Sequence, residues 1–261
     1  MNGAALVTGA GKRLGREMAL YLAGRGLDVV VHYHGSEDEA REVVGLCREA
    51  GVKAVAVQAD LTVEDEMQAL VGRGAAEIGA ALTVLVNSAS IFEYDNIETA
   101  TRDSWDRHLE SNLRAPFVLT QRFAEQAPEP EIGGRWNEPT ARALIVNMID
   151  MRVRKRTPEF MSYTIAKSAL WTLTRTAAQA LAPKVRVNGI GPGPTMQGAR
   201  QSEAHFRNQR ASTIMERGAD PSDITHALGY FMDAPAVTGQ LLCIDGGQHL
   251  GWRTPDVQGV E

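Results

Sequence analysis

The stretch Asn147–Lys167, NMIDMRVRKRTPEFMSYTIAK, gathers residue types that could do chemistry: a carboxyl at Asp150, a phenol at Tyr163 and an ammonium at Lys167. Tyr163 and Lys167 have the i, i+4 spacing that puts both on one face of a helix. A free phenol, with a pKa of about 10, moves protons poorly near neutrality; a neighbouring ammonium would stabilise the phenolate and bring that value down. The same ammonium could hold ribose hydroxyls. An ionised Asp150 can only accept hydrogen bonds and would repel an alkoxide forming on a carbonyl substrate. It suits instead a substrate with ring N–H groups or a nitrogen that must gain a proton. A solvated loop acid after a strand is the plainer alternative for Asp150, and Tyr and Lys at this spacing occur by chance in many helices.

A second chemical end lies near the N-terminus, in TGAGKRLG at Thr8–Gly15. Glycines at a strand-to-helix turn let the backbone approach a pyrophosphate, whose charge the helix N-terminus favours. The next apolar run leads into VHYHGSEDEA. An NAD site places an acidic residue about 20 residues past the glycines to bind the ribose 2′-hydroxyl. Here the strand end offers His32, His34 and Ser36, with Lys12 and Arg13 in the first turn. Cations and donors suit a 2′-phosphate, so the expectation is NADPH rather than NADH. Ordinary polar residues at a strand end are the alternative for the histidines.

These residues need a frame. AALVTG, LDVVVHY, VKAVAVQ, LTVLVN, ALIVNM, VRVNGI and QLLCID are continuous apolar runs of strand length, as a parallel sheet covered on both faces requires. Amphipathic segments such as REMALYLAGRG and SALWTLTRTAAQALA alternate with them. The pattern predicts one α/β domain over residues 1–261: a doubly wound, Rossmann-type parallel sheet of about seven strands with helices on both faces. Gln126–Ala141, rich in Pro, Gly and charge, reads as a surface excursion before the fifth strand. A net charge of −5 gives no reason to expect nucleic acid or an acidic membrane as partner. Cys47 and Cys243 are the only cysteines, so neither a disulfide framework nor a metal site is expected. Without a signal-peptide pattern or an apolar run near 20 residues, the expected location is the cytoplasm.

Taken together, TGAGKRLG, Asp60, NSAS at Asn87–Ser90, Asn112, the Tyr163/Lys167 pair, GPGPT at Gly191–Thr195 and TGQLLCIDGG resemble the short-chain dehydrogenase/reductase family over nearly the whole chain. The resemblance implies roles residue by residue. Asn112 would hold a water that relays protons to Lys167, and Asp60 would bind the adenine amino group. Pro192 and Thr195 would border the nicotinamide. Gly9, Leu14, Leu61, Asn87, Ser88, Ala89, Ser90 and Gly193 would complete the cofactor cleft. A homotetramer, common in the family, is implied as well.

The departures narrow the likeness. Arg13, the His-Tyr-His-x-Ser run, Phe92 and Asp150 in place of the usual serine resemble the pteridine reductase branch. There the arginine and phenylalanine hold a flat pterin over the nicotinamide; Arg13 serving only cofactor phosphates, and Phe92 as an ordinary apolar residue, stay open. Gly35 stands where an arginine often assists the 2′-phosphate. The basic run Arg152, Arg154, Lys155, Arg156 could grip an anionic substrate tail or be a solvated face. The expected reaction is hydride transfer from NADPH to a C=N bond of a dihydropterin or related small molecule, with Ser90 and Tyr163 also at the substrate. A ketone or 3-oxoacyl thioester reductase, and a non-catalytic NADPH sensor, are the competing readings.

Overall fold

The computed structural model describes residues 3–252. In chain order its strands and helices are β1 (Ala4–Val7), α1 (Arg13–Gly24), β2 (Asp28–Tyr33), α2 (Glu37–Glu49), β3 (Ala54–Gln58), α3 (Glu64–Ile78), β4 (Leu82–Asn87), α4 (Arg102–Leu109), α5 (Ala115–Gln126), β5 (Glu131–Gly133), β6 (Glu138–Thr140), β7 (Ala143–Met148), α6 (Met161–Leu181), β8 (Val185–Pro192), α7 (Glu203–Ala211), α8 (Pro221–Asp233) and β9 (Leu241–Ile244). The seven apolar runs all become strands of one sheet, in the order β3-β2-β1-β4-β7-β8-β9. Every pairing in it is parallel.

The continuous apolar runs are explained by burial on both faces. Along β1, Ala5 and Val7 face a core made with Met18 and Leu22 of α1, Val43 of α2 and Phe231 of α8. Ala4 and Leu6 face the opposite core, with Leu70 of α3, Leu119 and Phe123 of α5 and Ala177 of α6. Side chains alternate between faces along a strand, so a strand covered twice is apolar at most positions. Each fully buried leucine contributes about 1.5–3 kcal/mol to this arrangement.

The order of the sheet also positions the site. The chain winds outward from β1 through β2 to β3, then crosses back to place β4 on the other side of β1. Beyond the C-terminal ends of β1 and β4 the loops diverge and leave a crevice, the ligand position in doubly wound sheets. Thr8 spans this point: its hydroxyl accepts hydrogen bonds from the backbone N–H groups of Ser88 and Ala89, both at 2.9 Å.

The excursion Gln126–Ala141 is more ordered than its composition predicts. β5 and β6 pair antiparallel as a separate hairpin, with Ile132 opposite Pro139. Its turn uses positive φ at Gly134 (71°) and Asn137 (55°). Proline is tolerated because a two-stranded hairpin has only edges. Among the described residues, no helix is long and apolar enough to cross a membrane.

Candidate active site

The glycine turn is built for close approach. Gly9 has φ 64°, and a Cβ at Gly15 would lie 2.2 Å from the carbonyl oxygen of Gly9, so α1 can start only this tightly against the turn with glycine there. His32 holds the turn from below. Its Nδ1 accepts the Gly9 N–H at 3.0 Å, so Nε2 carries the proton and donates to the Ala59 carbonyl, also at 3.0 Å. Burial pushes its pKa down to about 4 and keeps the ring neutral. This corrects the reading of His32 as a phosphate donor: both ring nitrogens are spent on backbone, and the residue is 2% exposed.

His34 and Ser36 do open onto a cleft of about 900 Å³, with Lys12, Arg13, Leu14, Asp60 and Leu61. His34 sits 3.6 Å from the Asp60 carboxylate. The Asp60 carboxyl is held below its usual range: burial opposes this, and the backbone N–H and hydroxyl of Thr62, both bonded to it, prevail. Lys12 pairs with Glu39 at 2.7 Å on the surface. Arg13 takes a left-handed backbone at φ 52°, and its guanidinium donates to the carbonyls of Gln197 (2.8 Å) and Met196 (3.0 Å). Its side chain thus bridges the glycine turn to the segment leading into α7. The residue also lines the cleft, where a pterin or the cofactor phosphates are its expected partners.

Ser88, Ala89, Ser90, Phe92, Pro192 and Gly193 line the same cleft. Asn87 and Thr195 lie buried behind it, Asn87 donating to Asn147 at 2.8 Å and Thr195 to the Gly193 carbonyl at 3.1 Å. Asn112 is buried in a widened π-helical turn, Glu110–Arg114. Its amide donates to the Ile91 carbonyl at 2.8 Å and accepts the Ile91 N–H at 3.0 Å. The side chain therefore fixes the loop after β4.

At the far end of the cleft the three residues first singled out meet. The Tyr163 hydroxyl donates to Asp150 Oδ2 at 3.0 Å, while Asp150 Oδ1 accepts the Arg152 N–H at 2.8 Å and caps the short 3-10 turn Met151–Val153. Lys167 Nζ donates to the Met148 carbonyl at 2.7 Å. Burial raises the Asp150 carboxyl above its ordinary range and lowers Lys167 to about 8. Tyr163 moves well above 10, first through burial and then through the charge and hydrogen bond of Asp150. This reverses the expectation that Lys167 draws the phenol down. The ammonium is turned to a carbonyl and stands 5.7 Å from the ring centre, whereas the carboxylate is bonded to the phenol itself.

Aromatic residues wall this end. Phe92 meets Tyr163 edge-on with ring centres 4.7 Å apart and stacks on Phe160 at 4.4 Å. The Arg152 guanidinium covers Phe160 at 4.8 Å, and Arg200 reaches the same pair, donating to the Phe92 carbonyl at 2.7 Å. Of the basic run only Arg152 joins this wall; Arg154 lies over Trp171 at 5.7 Å, while Lys155 and Arg156 are exposed. Sequence reasoning missed Phe160, Arg200 and a buried group formed by Asp95, His108 and Ser162. The only available signal was proximity, Phe160 and Ser162 flanking Tyr163 and Asp95 following Phe92 by three positions.

Comparison with known proteins adds to this geometry. A family profile described as enoyl-(acyl carrier protein) reductase matches residues 9–249. The chain is 29% identical over 257 residues to the 3-oxoacyl-[acyl-carrier-protein] reductase FabG of Staphylococcus epidermidis, covering 96% of this chain and all of the relative. The crystal structure of FolM alternative dihydrofolate reductase 1 from Brucella suis, in complex with NADP, superposes with a TM-score of 0.89 at 37% identity, over 97% of this chain and 98% of that one. The angucycline C-6 ketoreductase LanV with bound NADP gives 0.85 at 28% identity, over 96% and 99%.

Proposed function

The chain belongs to the short-chain dehydrogenase/reductase family, and from that premise we propose that it reduces a C=N bond of a dihydropterin or related heterocycle with NADPH, Tyr163 supplying the proton. It is an NADP-dependent oxidoreductase; the substrate class is the proposal. The observation that carries it is the Tyr163–Asp150 hydrogen bond. A serine at this place would donate to a carbonyl oxygen, whereas a carboxyl can accept from ring N–H groups and pass a proton to a nitrogen.

The cofactor fits the residues present: a turn too tight for a Cβ, a helix N-terminus, and the donors His34 and Ser36 over the second strand's end. Bound there, NADPH supplies a hydride from its nicotinamide. Tyr163, kept protonated by burial and by Asp150, delivers a proton to the substrate nitrogen. Asp150, its carboxyl raised by burial, passes a proton back to the phenolate through the Oδ2 that bonds it, and its place on the cleft wall lets a ring N–H approach it. Lys167, anchored on Met148, offers its remaining N–H groups to the ribose. Phe92 gives a flat ring a face to lie on. The free Cys47 and Cys243 fit a reducing cytoplasm. Exposed Phe117 on α5 and Ile165 on α6 suit association with further copies of the chain.

The test is NADPH oxidation against dihydrobiopterin, dihydromonapterin, dihydrofolate and a set of ketones and 3-oxoacyl thioesters. Turnover confined to the pterins and folate is the expected result. Turnover confined to ketones or thioesters would establish the second reading, which the FabG likeness favours. Cofactor choice is a separate expectation: NADPH should bind at least ~10-fold more tightly than NADH, about 1.4 kcal/mol, a modest demand on His34, Ser36, Lys12 and Arg13. Equal dissociation constants by fluorescence titration would show that Gly35, in place of a third cation, decides the site.

A further inference from the structure

Helix α6 carries both Tyr163 and Lys167, yet it begins without a cap of its own. Its N-cap residue, Phe160, has a left-handed backbone at φ 56° and no side-chain acceptor. The first turn of a helix leaves N–H groups that need partners. Here the partner arrives from Asp95, in the loop that follows Phe92. Asp95 Oδ1 accepts the Ser162 N–H at 3.1 Å, and the Asp95 carbonyl accepts the Met161 N–H at 3.3 Å. A carboxylate at this end also complements the positive pole of a 21-residue helix.

The contact continues as a directed chain. The Glu93 N–H donates to His108 Nε2 at 3.1 Å, so Nε2 is bare and Nδ1 carries the proton. Nδ1–H then donates to Ser162 Oγ at 2.6 Å, and the Ser162 hydroxyl donates to Asp95 Oδ2. Each group has one direction that satisfies all of them. Asp95 is 1% exposed, and Ser162 and His108 are 0% exposed. Such a network is rigid because breaking any member strands a polar group out of reach of water. It joins the two sides of the substrate pocket: Glu93 and Asp95 bracket the loop just after Phe92, and Ser162 precedes Tyr163. The His108 ring also packs edge-on to Tyr163, 6.1 Å between centres.

We propose that Asp95 is a positioning residue: by capping α6 in trans and binding Ser162 and His108, it sets the distance between the Phe92 wall and the proton-donating hydroxyl of Tyr163. The inference rests on Tyr163 as proton donor, not on the identity of the substrate. Displacement of a reacting group by an ångström can cost ~100-fold, so kcat should respond while the remote cofactor turn does not.

The experiment compares Asp95→Asn, Ser162→Ala and Tyr163→Phe with wild type, using dihydrobiopterin, or the ketone if that is what wild type reduces. Asp95→Asn keeps one acceptor oxygen for two donors, the Ser162 N–H and the Ser162 hydroxyl, so the helix cap and the network compete; kcat should fall ~10-fold or more with the NADPH dissociation constant within about two-fold. Ser162→Ala keeps the backbone cap and cuts the link to His108, so KM for the substrate should rise about five-fold with kcat held within about two-fold. A merely structural role would instead lower kcat, substrate affinity and cofactor affinity together, and that pattern overturns the proposal, as does Asp95→Asn with wild-type kcat. If Asp95→Asn fails to fold, Ser162→Ala decides: an unchanged KM overturns. An inactive Tyr163→Phe beside a normal Asp95→Asn removes this inference alone, whereas an active Tyr163→Phe removes the proton-donor reading and this inference with it.

Discussion

Tyr163→Phe is expected to lower kcat by about 10³-fold, within the usual range for loss of a general acid, and to leave NADPH binding within a few-fold. The phenyl ring keeps the edge contacts with Phe92 and His108, so the pocket retains its wall. What disappears is one hydroxyl, which donates to Asp150 at 3.0 Å and also meets the Ser90 side chain. Because burial and Asp150 hold the phenol well above 10, the wild-type group enters the reaction protonated at every physiological pH. The loss should therefore be flat across neutral pH. A variant retaining a tenth of wild-type kcat in a stopped-flow or steady-state assay would disprove the assignment.

Asp150→Asn should lower kcat/KM for pterins by ~10²-fold or more, because it preserves shape and removes the titratable proton. The cap on the Arg152 N–H survives through the amide oxygen, so the 3-10 turn should stay in place. The amide nitrogen, however, now faces the Tyr163 hydroxyl as a donor, and the phenol loses its acceptor. The sign of the pH dependence follows from the raised carboxyl. Asp150 can pass on a proton only below its pKa, so wild-type pterin reduction should decline as pH rises through a value above the ordinary ~3.9 of an aspartate. That limb should be missing in Asp150→Asn. Asp150→Ser should be poor with pterins and equal to or better than wild type with ketones, since a hydroxyl can donate to a carbonyl oxygen. Wild-type rates of pterin reduction in Asp150→Asn would rule out the relay.

The frame was legible because its signals are local and repeated. Seven mostly apolar runs of strand length, without strict alternation, fit a sheet buried on both faces, and all seven appear in one sheet. The positions of Tyr163, Lys167 and Asp150 were legible for a similar reason, since helical spacing and a strand exit fix where side chains go. Their electrostatics were not. Lys167 was expected to face the phenol, but a backbone carbonyl at 2.7 Å competes for it, and no pattern in the sequence reports that carbonyl. His32 and His34 look equivalent in the sequence, yet His32 lies inside β2, buried against Gly9 and Ala59, whereas His34 lies just past the strand's end and is exposed. The hairpin β5–β6 was hidden by the proline and charges that an edge pair accepts. Asp95, Phe160 and Arg200 act through contacts made across long separations, and one sequence carries no trace of such pairing.

The central position of β1 has a consequence for how the chain reaches its native state. Thr8 must find the loop after β4 some 80 residues later, with β2 and β3 placed on the other side in the meantime. Closing a loop of that length opposes folding by roughly 4 kcal/mol beyond a constant, and only the completed β1–β4 pairing repays it. Topologies dominated by such non-local pairings fold slowly. The crevice over Thr8 exists only once that pairing is made, so a ligand bound there stabilises the finished sheet and no earlier species. At a ligand concentration of 100 times Kd the gain is about 2.7 kcal/mol. Cofactor supply therefore acts on the population of folded chains as well as on their turnover, drawing the slow closure of the sheet forward by mass action.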